Sequence, residues 1–326
     1  MKDDYLWDRS GEPDPEVERL ERLLSRYRHE APFNLGGRKS RRWWLAAAAA
    51  VLLVVAGAAL ALTVRFRWKS GMAWDIVSVN GTATLDGKRI SEHDHLGEEE
   101  ELRTGPDSRV TVRVARVGEV EIGPSTTLRI VSTSTRRHRI ALDRGTISAR
   151  VWAPPFIFSV DTPAGLASDI GCAFNIGFAE GAGHLHVTSG WVDFDGDIRS
   201  SLVPAGAIAE LRQLGPGTPY YTDAPAEFRA ALRDYDFNDD REALSTILAT
   251  ARPRDAMTLL HLLERAEEGD RAPLFDRLSV LAPPPAGVTR AGILRRDLKM
   301  LDSWRRALGL GGVKKWWVYW RDALPR

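Results

Sequence analysis

Residues Trp43 to Val64 read WWLAAAAAVLLVVAGAALALTV, 22 positions without a charged side chain. As a helix this run spans about 33 Å at roughly 1.5 Å per residue, the thickness of a bilayer's hydrocarbon core. Arg38, Lys39, Arg41 and Arg42 precede it, and Arg65, Arg67 and Lys69 follow it. The pattern predicts one transmembrane helix over 43–64, with a short segment, 1–42, on one face of a membrane and most of the chain on the other. Ala59-Leu60-Ala61 resembles a signal-peptide cleavage site, but 42 residues precede the apolar run and the run outlasts a usual signal core. A buried helix of a soluble domain rarely runs so far without a charge. Arg26, Arg28, Arg38, Lys39, Arg41 and Arg42 lie within about 20 residues on the N-terminal side, against three cations on the other, which places the N-terminus in the cytoplasm. Trp43 and Trp44 at one end and Trp68 near the other suit the membrane interface, so the lipid bilayer is the first expected partner.

The chain has 326 residues, room for two modest domains besides a tether. Its net charge of +1 offers no global field for nucleic acid. The single cysteine, Cys172, excludes an intramolecular disulfide and a Cys-based structural zinc site. An extracytoplasmic domain here must stand on its core alone.

Within 1–42, Asp14 can cap a helix with Pro15 at its first position. Val17, Leu20, Leu23, Leu24 and Tyr27 recur at helical spacing and form one apolar stripe. A single helix cannot bury such a stripe by itself, so it either rests on lipid headgroups or docks on a partner. Gly36-Gly37 gives a joint before the apolar run, and residues 65–73 link that run to the region that begins at Trp74.

Residues 74–222 alternate with the period of strands. Val110, Val112 and Val114 interleave with Thr111, Arg113 and Ala115, and Leu185 and Val187 with His184, His186 and Thr188. Extended past Gly190, the alternation puts Ser189 and Trp191 on the face of Leu185 and Val187, with His184, His186 and Val192 opposite. Turn signals such as Asn80-Gly81, Asp86-Gly87, Gly181 and Asp195-Gly196 separate the strands. No helix-length pattern interrupts them, so an all-β antiparallel domain is expected, as a roll, a sandwich or a short solenoid.

Residues 223–326 switch to helical period. Asp223 can cap a helix near Ala224-Pro225. Pro253 can open another carrying Ala256, Leu259, Leu260 and Leu263, and Pro273 a third with Leu274, Leu278 and Leu281. Pro283-Pro284-Pro285 breaks the pattern, and Thr289 can cap a longer helix through Leu308. From Arg290 to Arg326 there are ten Lys/Arg against three Asp/Glu. Trp316, Trp317 and Trp320 in the tail, beside Lys314, Lys315 and Arg321, either cover the helical core or seat a basic foot on a membrane surface.

The β region resembles the FecR domain family. The resemblance rests on an opening strand and turn at Trp74–Gly81, on GEEEELRT at 97–104, and on the Gly123-Pro124-Ser125 turn. It continues through Leu142-Asp143-Arg144-Gly145, Thr162-Pro163 with Gly171-Cys172-Ala173-Phe174, and VTSGWV at 187–192. It covers roughly 74–210. It implies a bacterial inner-membrane protein with its β domain in the periplasm, receiving a signal, and a cytoplasmic end contacting an alternative, extracytoplasmic-function sigma factor. It implies no cofactor. Where the family's cytoplasmic part is a multi-helix module, 1–42 carries one evident helix, and His29 is its one histidine. The rival reading is a scaffold whose β domain holds a periplasmic protein or a polysaccharide.

No G-x-S-x-G, Walker loop, H-E-x-x-H or G-x-G-x-x-G occurs, so no enzymatic reaction is expected. His184 and His186 share one strand face, as half of a metal site at most. Asp193, Asp195 and Asp197 depart from a calcium loop, since Gly196 stands fourth and Pro204 twelfth; a hairpin tip at Asp195-Gly196 accounts for them better. Glu98 to Glu101 read as a solvated loop or a sheet edge guarded by charge. Cys172, within an apolar run, reads as a buried thiol.

Overall fold

The computed structural model describes residues 14–27, 74–134 and 137–310. The predicted transmembrane helix 43–64, the interfacial Trp43, Trp44 and Trp68, and the tail residues Trp316, Trp317 and Trp320 lie outside them. Among the described residues no helix is long and apolar enough to cross a membrane. The chain divides into two compact units, Met1–Arg65 and Phe66–Arg326.

In the first unit, helix α1 spans Pro15–Leu24 and a 3-10 turn follows at Ser25–Tyr27. Asp14 caps it, accepting from the Glu16 backbone N–H at 2.9 Å, and Pro15 takes the first turn, where its missing donor costs nothing. Glu16 and Glu18 sit in the positive first turn and Arg22 in the last, each with the charge the helix dipole favours.

In the second unit the described residues form eighteen strands over 74–221. They form two sheets that share one long strand, β9 (Arg137–Val151). Its first half pairs with β8 (Thr127–Ser134) and β10 (Phe158–Thr162), and its second half with β7 (Gly118–Ile122) and β12 (Ala173–Ala179). The change of sheet occurs at Gly145, whose φ of +101° suits glycine and where an added Cβ would collide with Thr126. The inner faces meet through aromatic rings. Phe158, from one sheet, lies 6.3 Å from Trp74 and 6.4 Å from Phe174, both on the other. This is a sandwich, one of the three forms the sequence allows. Val110, Val112, Val114, Ile140, Leu142, Leu185 and Val187 are all buried, as alternation requires. Asp86-Gly87 and Glu180-Gly181 are two-residue hairpin turns with both residues at positive φ. One pairing departs from the antiparallel expectation: β9 and β10 run parallel, because the chain crosses over through 152–157 instead of turning back on itself.

One further expectation for the β region is corrected, and one open alternative is decided. The alternation does not pass through Gly190. Strands β13 (Ala182–Ser189) and β14 (Trp191–Asp195) belong to different sheets, and Gly190, at φ +72°, makes the corner between them. The phase therefore resets. Val192 and Phe194 are fully buried, Ser189 is exposed, and Trp191 is buried at the corner itself, with an exposure of 7%. Of the two readings of Glu98–Glu101 the solvated loop holds: Glu98 and Glu99 are exposed in a turn that leads into β5 (Glu101–Thr104), which is paired on both sides, with β2 (Ala83–Leu85) and β8, so they guard no edge. Instead Glu98 accepts from the Thr133 N–H at 2.6 Å and Glu100 from the Gly97 N–H at 2.5 Å.

Six helices follow among the described residues: α2 (Ala226–Phe237), α3 (Ala243–Thr250), α4 (Ala256–Arg265), α5 (Glu268–Leu281), α6 (Arg290–Leu294) and α7 (Leu298–Ala307). Pro253 opens a 3-10 turn before α4, which buries Ala256, Leu259, Leu260 and Leu263 as its spacing predicts. Three boundaries differ from expectation. Asp223 does not cap α2; it pairs with Arg252 and Arg254, and Pro225 precedes the helix without a side-chain cap. Pro273 lies inside α5, which starts at Glu268, and there removes one helical hydrogen bond. The helix foreseen from Thr289 to Leu308 is two. Thr289 caps α6, the chain turns at Arg296 with φ +61°, and Asp297 caps α7. Trp304 of α7 is fully buried edge-on against Phe275, 5.4 Å between ring centres.

Candidate functional site

Two surfaces can engage something beyond the fold. The first is the α1 stripe. Leu20, Leu23, Leu24 and Tyr27 are 56%, 64%, 60% and 81% exposed, and Val17 is half-buried. Leu20 and Leu24 stand one turn apart, so they share a face. Ten residues of helix are marginal in water on their own, and most helical stability comes from packing an apolar face.

The second is the seam where the helices close on the β sandwich. Asp236, near the end of α2, is its hub. Its Oδ2 accepts from the Thr218 N–H at 2.6 Å, and its Oδ1 accepts from the Thr218 hydroxyl at 3.0 Å and from Arg265 Nη2. Arg199, in the hairpin loop between β14 and β15 (Ser200–Pro204), donates to the Asp236 carbonyl at 2.6 Å. Arg199 and Arg212 both lie over the Phe237 ring, at 5.6 and 5.5 Å. Burial lowers the Arg199 pKa, the charge of Arg265 lowers it further, and Asp236 opposes both. Glu210 on β16 (Ala207–Arg212) receives three bonds from Arg233 of α2, at 2.5–3.1 Å.

Two clefts lie along this seam, and a third adjoins them among the helices. One of about 300 Å³ is lined by Ile198, Arg199, Asp236 and Arg265. The next, about 400 Å³, is lined by Asp193, Ser200, His261, Glu264 and Arg305. A third, about 530 Å³, runs beside Glu264, Leu298 and Arg305. Their charges largely answer one another, as Arg265 with Asp236 and Arg305 with Glu264. Burial, with Arg265 and Arg305 nearby, pushes the His261 pKa down to about 3, so it is neutral at neutral pH. Burial raises the pKa of Glu264, against the pull of Arg305, and that of Asp193, reinforced by Asp195. The arrangement suits polar docking. The Ser200 hydroxyl donates to Asp195, 2.7 Å away.

The remaining residues singled out in the sequence do not converge on either surface. His184 is exposed and His186 half-buried on β13, opposite Glu210 and Ile208 of β16. Asp195 closes the β14–β15 hairpin, consistent with a turn. Cys172 is buried, 2% exposed. Among the described residues no group of three or more His, Cys, Asp or Glu is placed to hold a metal ion. The seam hub was not foreseen, since Arg199, Asp236 and Arg265 are dispersed in sequence and carry no shared spacing.

Residues 100–193 match the family model described as "FecR protein". No curated protein matches the chain. Two crystal structures from Parabacteroides distasonis, at 2.50 and 1.65 Å and each described as "a putative anti-sigma factor", are similar at 14% and 15% identity. Both have a TM-score of 0.33, and the likeness covers 40% of this chain and 62% and 63% of theirs, under two thirds of their length.

Proposed function

We propose that this chain, which carries a FecR domain, is a non-enzymatic single-pass regulator of the bacterial inner membrane. In this reading residues 43–64 cross the bilayer, the β sandwich and its helices lie in the periplasm and receive a signal or partner, and α1 contacts an extracytoplasmic-function sigma factor in the cytoplasm. The observation that carries it is the open apolar stripe of α1, Leu20, Leu23, Leu24 and Tyr27, on the far side of a charge-free 22-residue run from a FecR-type domain. A partner that covers the stripe supplies the apolar burial the helix lacks, on the order of 1.5–3 kcal/mol for each large side chain removed from water.

The test is capture of sigma factors from cells by the full-length protein. Leu20→Asp with Leu24→Asp should abolish it, because an unpaired charge buried in an interface is costly. Membrane insertion should not change, since 43–64 is untouched. Equal capture by both proteins would refute the reading. The polar seam clefts favour a second reading, a non-signalling scaffold that holds a periplasmic protein or polysaccharide there.

A further inference from the structure

Asp169 ends β11 (Gly165–Asp169) and Cys172 precedes β12, so the two residues bracket the corner where the chain passes between the sheets. Asp169 has no exposed surface and Cys172 is 2% exposed. Asp169 Oδ1 accepts from the Cys172 backbone N–H at 2.8 Å and from the Cys172 thiol. Its other oxygen, Oδ2, is buried and has no hydrogen-bond partner among the described residues. The corner is tightly built. Gly190 lies so close that an added Cβ there would collide with the Gly171 carbonyl, and the Ile170 N–H donates to the Trp191 carbonyl at 3.0 Å. The Asp169 carbonyl also accepts from the N–H of Phe156, 2.7 Å away, a 61%-exposed aromatic held at φ +65°.

Among the described residues no charge answers this carboxyl. Directly opposed residues of an antiparallel pair point to one side of the sheet. Asp169 opposes Val192, and Ala167 opposes Phe194, so β14 presents apolar groups to it. Asp193 and Asp195 of β14 oppose Ser168 and Leu166, on the other face. On β10, Asp161 is engaged by Arg139 on the face opposite Val160. The 152–157 crossover brings the Phe156 N–H to the Asp169 carbonyl, and the corner brings the uncharged Cys172 thiol and backbone N–H groups to the carboxyl. A carboxylate buried without a counter-ion favours its neutral form.

The geometry points to a protonation-gated latch at this corner: protonated Asp169 holds the Cys172 corner closed, and loss of its proton on opening loosens the joint between the two sheets progressively as pH rises toward neutrality. Burial pushes the Asp169 pKa up to about 7, against the thiol and the backbone N–H groups of Gly171 and Cys172, which favour the charged form. An open corner, with the carboxyl in water, ionises from about pH 4 upward, while the closed corner holds its proton to about pH 7. Closure is therefore firmest below pH 4, weakens between pH 4 and 7, and changes little above. This is a property of the β domain whether or not α1 contacts a sigma factor, and it would give the domain a response to the pH of its surroundings.

Cys172 is the chain's one cysteine, which makes it a selective probe. The experiment is thiol labelling of the full-length protein from pH 5 to 8, each rate divided by that of the unfolded chain at the same pH to cancel the thiolate's own titration. The wild-type ratio should rise some tens-fold between pH 5 and 7 and then level off. Asp169→Asn, a neutral isostere that keeps the Oδ1 acceptor, should remove the rise. His138 and His261, held neutral by burial with pKa values near 4 and 3, act in the opposite sense, and the difference between the two proteins cancels them. Profiles that run parallel in the two proteins would overturn the latch. If Asp169→Asn does not fold, wild-type amide exchange decides. Protection at the Cys172 N–H should fall with pH relative to Ile247 in the helices, and an equal fall at both sites would overturn it.

Discussion

Asp236→Ala tests whether helices and sandwich fold as one body. The carboxylate is almost fully buried, with its side chain 3% exposed, and it serves two groups of Thr218 and the guanidinium of Arg265. Alanine leaves the Thr218 N–H and hydroxyl without acceptors and leaves Arg265 beside Arg199 with no carboxylate between them. Removing one member of a buried pair costs about 3–5 kcal/mol. Arg265 is 25% exposed, so water recovers part of the loss and the low end, about 3 kcal/mol, applies. In a unit of this size each kcal/mol moves the midpoint by about 2–4 °C, so the expected fall is about 6–12 °C. The assay is thermal unfolding of the full chain in detergent, followed by the far-UV helical signal and by near-UV aromatic bands. Both probes should shift together, because the seam couples both parts. A helical transition that separates from an unmoved aromatic one would refute the idea of a single cooperative body. An unchanged midpoint would refute the hub.

Trp191→Ala should cost about 3–5 kcal/mol in a denaturation series, while His184→Ala, on the exposed face of β13, should stay within about 0.5 kcal/mol. Equal midpoints for Trp191→Ala and wild type would remove the corner tryptophan from the core. For topology, a reporter fused after Arg42 should be active only in the cytoplasm and one after Asp223 only in the periplasm; a soluble, N-terminally trimmed protein in the periplasm would contradict the tether.

Much of the sandwich was legible because its strands obey a two-residue period and its turns carry Asp-Gly or a positive-φ glycine. The period failed where the chain changes sheet. At Gly190 a single left-handed residue resets which side faces inward, so Val192 replaces Ser189 in the core. Local signals also misjudged helix ends. Thr289 does cap a helix, but Asp297, an equally good cap, starts a second one eight residues later. The α1 stripe was legible in full, down to its cap at Asp14, because a helix that buries nothing is decided by local rules. The seam was not, because Asp236 meets Arg199 and Arg265 only after the sandwich and helices have closed. Asp169 left a fainter mark, as one acid within the apolar run from Leu166 to Phe174.

The central claim, that α1 docks on a sigma factor, is tested most directly by a photo-crosslinking amino acid placed at Leu23 or Tyr27 of the full-length protein in living cells. The account predicts a covalent adduct whose second component is an extracytoplasmic-function sigma factor, lost when Leu20→Asp and Leu24→Asp are added. Adducts with lipid alone, or none at either position, would contradict it.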